Sequence, residues 1–124
     1  MSILEFLGDI NGIAQLWAPD GQFLGWLSSD SFDQTSISNP SGLYGSSSGI
    51  YSIRNPSGMY GSASGMYSPY NINSLYPPVI VYRGQPVLVV TKNPCVLTKG
   101  LPIVDPDLML SVYTKQVTLD PVAA

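Results

Sequence analysis

At 124 residues the chain has room for one domain with a modest core, and not for two. Charged residues make up 10%, against about 25% in an ordinary soluble domain, and 44% are apolar; this excludes charge-driven disorder, while 12 Gly and 11 Pro indicate an ordered chain rich in turns. A net charge of −3 with 5 basic residues excludes the basic stripe of a nucleic-acid binder, and the lack of histidine excludes Ser-His-Asp and Cys-His nucleophile systems.

Residues 1 to 12 predict a short helix. Ser2 and Glu5 have the spacing at which each side chain satisfies the other's free amide. Ile3, Leu4, Phe6, Leu7 and Ile10 share a face, and Gly8 and Gly12 limit its length. So short an amphipathic helix needs a surface to lie on, either the protein's own sheet or a partner. The segment has no basic start, and Glu5 and Asp9 break its apolar run, so it does not read as a secretory signal. With no apolar run near the roughly 20 residues of a membrane span, the expected location is cytoplasmic, including a peripheral place on a membrane-associated assembly.

Residues 13 to 35 predict a β-hairpin around Pro19-Asp20-Gly21. Pro sets the first corner, Asp bonds nearby backbone, and Gly21 takes the left-handed position of a three-residue loop. Trp17 and Trp26 either pack this hairpin or line its edge. Asp30 and Asp33 are candidate cation ligands, but DSFDQTS lacks the alternating ligands and closing glutamate of a calcium loop, so both read as turn residues.

Residues 36 to 78 hold a repeat. SISNPSGLYGSSSGIY and SIRNPSGMYGSASGMY match at 12 of 16 positions, and a third unit decays into SPYNINSLYPP. Asn-Pro followed by Ser-Gly gives one chain reversal per unit and Tyr-Gly-Ser a second. Stacked units would place Tyr44, Tyr60 and Tyr76 in a ladder with Leu43 and Met59 alongside. Low charge follows, since a repeated charged position would set like charges over one another. Arg54 replaces Ser38 and so meets no copy of itself. Two clear units fall short of the roughly three a freestanding solenoid needs. The repeat therefore leans on the flanking hairpins or a partner; the competing reading is an extended Gly/Ser/Tyr linker. Tyr44, Tyr51, Tyr60, Tyr67 and Tyr70 are the candidate protein-interface residues, with Arg54 giving polarity, because tyrosine is enriched at interface centres.

Residues 79 to 104 predict a second hairpin and a strand, VIVYRGQPVLVVT having the layout of the first. Cys95 is the only cysteine, which excludes an intrachain disulfide and a Cys/His zinc site. It is expected as a small buried side chain at a strand end. Residues 105 to 116 predict a helix, with Asp105 as N-cap, Pro106 first in the helix and Asp107 at its positive end. Leu108, Met109, Val112 and Tyr113 would face the sheet, and VTLDPVAA would trail loosely. Asp105 and Asp107 are explained by the helix start better than as an acid-base or cation-binding pair.

Acids and bases are divided along the chain. Glu5, Asp9, Asp20, Asp30 and Asp33 precede any base, and Arg54, Arg83, Lys92 and Lys99 follow before Asp105. Such a split either orients the molecule on a partner or reflects scattered solvated charges.

SISNPSGLYGS and SIRNPSGMYGS, preceded by DGQFLGWLSSDSFDQTSISN, resemble a group of small bacterial proteins of unassigned function, many cyanobacterial. Their repeats read approximately Ser-Ile-x-Asn-Pro-Tyr-Gly-x-Tyr-Gly-Ser. The resemblance covers about residues 16 to 91, with Ser41 and Ser57 where the group often has Tyr. It implies a repeat-based module without enzymatic activity, an accessory or linker polypeptide on a larger assembly.

The expected fold is mainly β, a single domain in which two β-hairpins bracket a short 16-residue turn-rich repeat, with short helices at both ends. The expected function is non-enzymatic: docking on or linking protein subunits of a larger complex or homo-oligomer. No cofactor, metal, nucleic acid or transmembrane segment is expected. A carbohydrate or cell-envelope binding module, with aromatic rungs against sugar rings, is the second reading; a minimal enzyme using Asp105 or Asp107 is the third.

Overall fold

The computed structural model describes residues 2 to 119, with side chains described as far as Thr114. Helix α1 (Ile3–Asp9) begins at a closed capping box: Glu5 N donates to Ser2 Oγ at 3.1 Å, and Ser2 N donates to Glu5 Oε1 at 2.9 Å. Strands β1 (Ala14–Trp17), β2 (Phe23–Leu27), β3 (Val79–Tyr82), β4 (Gln85–Val90) and β5 (Ile103–Val104) follow, and α2 (Pro106–Leu119) comes last. The fold is mainly β with helices near the termini, as expected.

All five strands belong to one sheet, in the order β2-β1-β3-β4-β5. Neighbours are antiparallel except β4 and β5, which are parallel. Composition and spacing did not place β1 beside β3; register does, with Ala14 opposite Tyr82 and Trp17 opposite Val79. The connections differ more than the sequence suggested. Ala18 N bonds Gln22 O across the Pro-Asp-Gly loop, where Gly21 has φ +91°. Arg83 and Gly84 (φ +55° and +77°) instead form a two-residue turn whose left-handed corners suit the strand twist.

Alternation along β1, β3 and β4 sends Ala14, Leu16, Ile80, Leu88 and Val90 into the core. Strand β2 adds both Leu24 and Leu27, its alternation broken by a register shift opposite Leu16 and Trp17. Leu7 and Ile10 near the N-terminus and Met109, Leu110 and Tyr113 of α2 complete it. The short α1 is thus held by its own molecule: Leu7 is fully buried, and Tyr113 OH donates to Leu7 O at 2.7 Å. On α2, Met109, Val112 and Tyr113 pack inward as expected, but Leu108 is 42% exposed and Leu110 takes its place. The helix also continues through residues 117 to 119, expected to be loose. The rest of the expected tail, 120 to 124, lies outside the described residues.

Cys95 is a further correction. It is exposed. Asn93 Oδ1 accepts from Cys95 N at 2.9 Å, and the turn this closes lifts the side chain off the end of the sheet.

Candidate functional site

Between β2 and β3 the chain forms a series of linked turns. Asn39 N bonds Ser36 O, Gly42 N bonds Asn39 O, Ser46 N bonds Gly42 O, Gly49 N bonds Ser46 O and Ser52 N bonds Gly49 O. Four steps of three residues and one of four make up the sixteen-residue period, and Asn55, Gly58, Ser62, Gly65 and Ser68 repeat it.

Corner chemistry explains the composition. Ser36, Asn39, Ser46, Ser52, Asn55 and Ser62 each accept, on the side-chain oxygen, the N–H two residues ahead, at 2.9 to 3.0 Å. Short polar side chains that close their own turn are what such corners favour. Each Asn also ties one turn to an earlier one. Its Nδ2 donates to a carbonyl six residues back: Asn39 to Asp33 at 3.2 Å, Asn55 to Gly49 at 3.0 Å and Asn71 to Gly65 at 3.0 Å.

Both ends of the turn series are capped by the sheet region. Ile37 N bonds Trp26 O at 3.0 Å and Trp26 N bonds Thr35 O at 2.8 Å, covering the edge strand β2. At the other end Lys92 N bonds Pro69 O at 2.8 Å, and Asn93 Nδ2 donates to Ser74 O at 3.0 Å.

The tyrosines form one file. Centroids lie 6.1 Å apart for Tyr44 and Tyr51, 6.2 Å for Tyr51 and Tyr60, 6.0 Å for Tyr60 and Tyr67, and 6.5 Å for Tyr67 and Tyr76. Phe23 continues it at 5.1 Å from Tyr44, and Trp17 lies 5.2 Å from Phe23. The expected stacking of Tyr44 directly on Tyr60 is therefore corrected, because Tyr51 and Tyr67 stand between like rungs. A shorter signal in the sequence marks the true order. Gly-Leu-Tyr, Gly-Ile-Tyr, Gly-Met-Tyr, Gly-Met-Tyr and Ser-Leu-Tyr end at residues 44, 51, 60, 67 and 76, alternately seven and nine apart. A comparison made at sixteen residues hides that half-period.

The rings are structural in part. Tyr51 and Tyr67 pack against the core, and Tyr60 is only 8% exposed. Tyr60 OH donates to Asp20 Oδ2 at 2.6 Å, fastening the file to the loop between β1 and β2. Burial, reinforced by Asp20, pushes the Tyr60 phenol up to about 12, so it remains a donor at neutral pH. Tyr70 stands apart from the file and joins the third unit to α2: its OH donates to Asp107 Oδ1 at 2.7 Å, and burial, then Asp107, raises its pKa. Lys92 Nζ lies 2.8 Å from Asp105 Oδ2 and 3.0 Å from Asp107 Oδ2. The Tyr70 hydrogen bond, then Lys92, lowers the Asp107 pKa.

Arg54 stitches the first two units, its Nε donating to Ile37 O at 2.9 Å. Burial lowers its pKa, and its Nη2 is buried without a hydrogen-bond partner among the described residues. A cleft of about 500 Å³ runs between it, Tyr70, Asp107 and Leu110.

Besides Tyr76, itself exposed, what the file presents to solvent is the residue before each tyrosine. Leu43, Ile50, Met59, Met66 and Leu75 are 52%, 60%, 54%, 57% and 67% exposed. Sequence reasoning placed Leu43 and Met59 beside the ladder and missed the other three, because their shared place in the half-period was not read. Each half-unit thus carries an aliphatic side chain, more than half exposed, directly before a ring of the file, which marks the five as a candidate apolar strip; the exposed Asp20 borders it, lining one hollow with Met66, Tyr67 and Tyr76.

The candidate acids serve the backbone. Asp30 Oδ1 accepts from Phe32 N and Asp33 Oδ1 from Thr35 N, both at 2.9 Å, and Asp105 Oδ1 accepts from Asp107 N at 2.7 Å as an N-cap does. Among the described residues no three His, Cys, Asp or Glu converge in a group able to hold a metal, and no helix is long and apolar enough to cross a membrane. Compared with family models, curated proteins and solved structures, the chain gives no match in any of the three.

Proposed function

We propose that the chain is a non-enzymatic docking module that attaches to, or links, protein subunits through the exposed edge of its tyrosine file. The observation that carries this reading is the strip Leu43, Ile50, Met59, Met66 and Leu75, held at regular intervals by packed rings. In this reading the hairpins bracketing the repeat act as its end caps, and the rings are a rigid backing. A preordered apolar surface loses little entropy when covered, so its buried area counts toward association. The carbohydrate reading draws less support. Sugar rings stack on open aromatic faces, whereas Tyr44 and Tyr51, and Tyr60 and Tyr67, lie nearly parallel at 23° and 22° and occupy one another's faces.

The test is the size of the native particle. In extract of the source cells the wild-type chain should elute far above its own 13.3 kDa. The double variant Ile50→Glu, Met66→Glu should elute as a free folded protein with an unchanged circular dichroism spectrum, since two charges forced into an apolar contact cost several kcal/mol. A wild-type chain found free, or a double variant that stays in the complex, would overturn the proposal. Retention of the free wild-type chain on glycans would favour the second reading.

A further inference from the structure

We infer that the cleft beside Arg54 is a binding site for a small monocarboxylic acid, its carboxylate held by the guanidinium and its short body lying between the repeat and α2. The inference stands apart from the docking reading and does not use the apolar strip.

The repeat itself singles Arg54 out. Ser38, Arg54 and Tyr70 hold the same place in the three units, each giving its backbone N–H to the serine Oγ two residues before it. The outer two side chains are satisfied: Ser38 Oγ donates to Ser28 O at 2.6 Å and Tyr70 OH to Asp107 Oδ1 at 2.7 Å. The middle one is not. Of the N–H groups of the Arg54 guanidinium only Nε–H is bonded among the described residues, to Ile37 O at 2.9 Å, and no carboxylate among them pairs with it. Nη2 is buried without a partner. A buried donor left unpaired is rare in a folded protein, and one that carries charge is costlier still. Burial lowers the Arg54 pKa, and only Tyr70 works against that. Nη1, equally without a partner, is not buried, so a ligand oxygen meets it first and reaches Nη2 on a small turn of the guanidinium.

The size and lining of the cleft set the class of ligand. Its volume of about 500 Å³ lies within the usual range of small-molecule sites. Ile53, Pro56 and Leu110 give it apolar walls, and Ser111 and Thr114 border it from α2. Their hydroxyls already donate, to Leu108 O at 2.7 Å and Leu110 O at 3.0 Å, so toward a ligand they only accept. Arg54 is therefore the side-chain donor on offer, and a carboxylate has the two oxygens that match its planar fork. A hydroxyl on the same ligand would donate to Ser111 or Thr114.

Charge selects against phosphate. Asp107 also lines the cleft, and Lys92 is shared between it and Asp105, so this cluster beside Arg54 carries one net negative charge. Arg54 can balance the single charge of a carboxylate, but the second charge of a phosphate would meet that cluster unopposed.

Guanidinium nuclear magnetic resonance on the wild-type chain tests the assignment, because Arg54 and Arg83 are the only two arginines and the second serves as an internal control. The probe is 3-hydroxybutyrate, with butane-1,3-diol as its counterpart lacking the carboxylate. The acid should shift the Arg54 side-chain N–H resonances saturably, with half the effect at about 1 mM, the range open to so small a ligand, and leave Arg83 in place. The diol should shift neither, and inorganic phosphate should need roughly ten times the concentration or more. Ser111→Leu fills the cleft from an exposed helix position and should abolish the shift while Tm stays within roughly 2 °C. No saturable shift by about 20 mM acid would overturn the site. So would an equal shift at Arg83, a diol or phosphate as effective as the acid, or a Ser111→Leu chain that still binds.

Discussion

Gly61→Ala is expected to destabilise the fold by about 3 kcal/mol or more, lowering Tm by roughly 10 °C. A methyl group there would fall on the carbonyl oxygen of Asn55, within 2.8 Å of the Ile53 oxygen and within 2.9 Å of the Asn55 nitrogen. All three are backbone atoms of adjoining turns, and none can swing aside as a side chain would. Gly45 occupies the matching place in the first unit, where the added carbon would fall on Asn39 O, so Gly45→Ala should behave alike. Gly8→Ala is the control. Nothing lies within 4 Å of a methyl group there, the position is helical, and alanine should stabilise α1 by about 0.5–1 kcal/mol. Thermal melts of the three variants separate the two cases by the sign of the shift. Equal tolerance at Gly8 and Gly61 would mean that the turns are not in contact.

The second large effect is at Asn55, where one side chain makes both bonds on which the repeat depends. Its Oδ1 accepts from Ser57 N at 2.9 Å, closing its own turn, and its Nδ2 donates to Gly49 O at 3.0 Å, binding the turn to the one before. At about 1 kcal/mol each, with a further cost for the stranded carbonyl, Asn55→Ala should lose about 2–3 kcal/mol. Asn55→Ser keeps an oxygen for the first bond and lacks the reach for the second, so its loss should be about half. Asn55→Asp retains the first acceptor but sets a charged oxygen against Gly49 O, and should be at least as damaging as alanine at neutral pH. Denaturant unfolding of the series resolves these steps. A serine variant no better than alanine would deny the turn-closing role.

Much of this fold was legible because local chemistry decides it. Ser2 with Glu5, Pro19-Asp20-Gly21 and Asp105-Pro106 each fix a helix start or turn within a few residues, and each forms as the pattern dictates. What could not be read depends on contacts between distant segments. The pairing of β1 with β3 joins residues more than sixty positions apart, and no local preference encodes it. The exposure of Cys95 follows from how the turn after β4 meets the third unit, through Asn93 and Ser74. Placing Tyr70 beside α2 needed Asp107 to be known as its partner.

The candidate face was half legible. Strict sixteen-residue identity showed that the tyrosines recur, but it placed Tyr44 against Tyr60 and overlooked the nested Gly-apolar-Tyr triplets. The turns themselves set the finer order: corners every three or four residues bring a ring back to the same side once in each half-unit. The apolar residue before each ring is carried along with it. That is how a sequence short of charge and long helices displays five aliphatic side chains in a row.

The order of the rings is the claim most directly open to measurement. Nuclear Overhauser spectra of the isolated protein, with tyrosine ring protons assigned individually, should connect Tyr44 to Tyr51, Tyr51 to Tyr60, Tyr60 to Tyr67 and Tyr67 to Tyr76, and should show no cross-peak between Tyr44 and Tyr60. Direct contact between Tyr44 and Tyr60, or averaged ring shifts with no cross-peaks among the five, would contradict it.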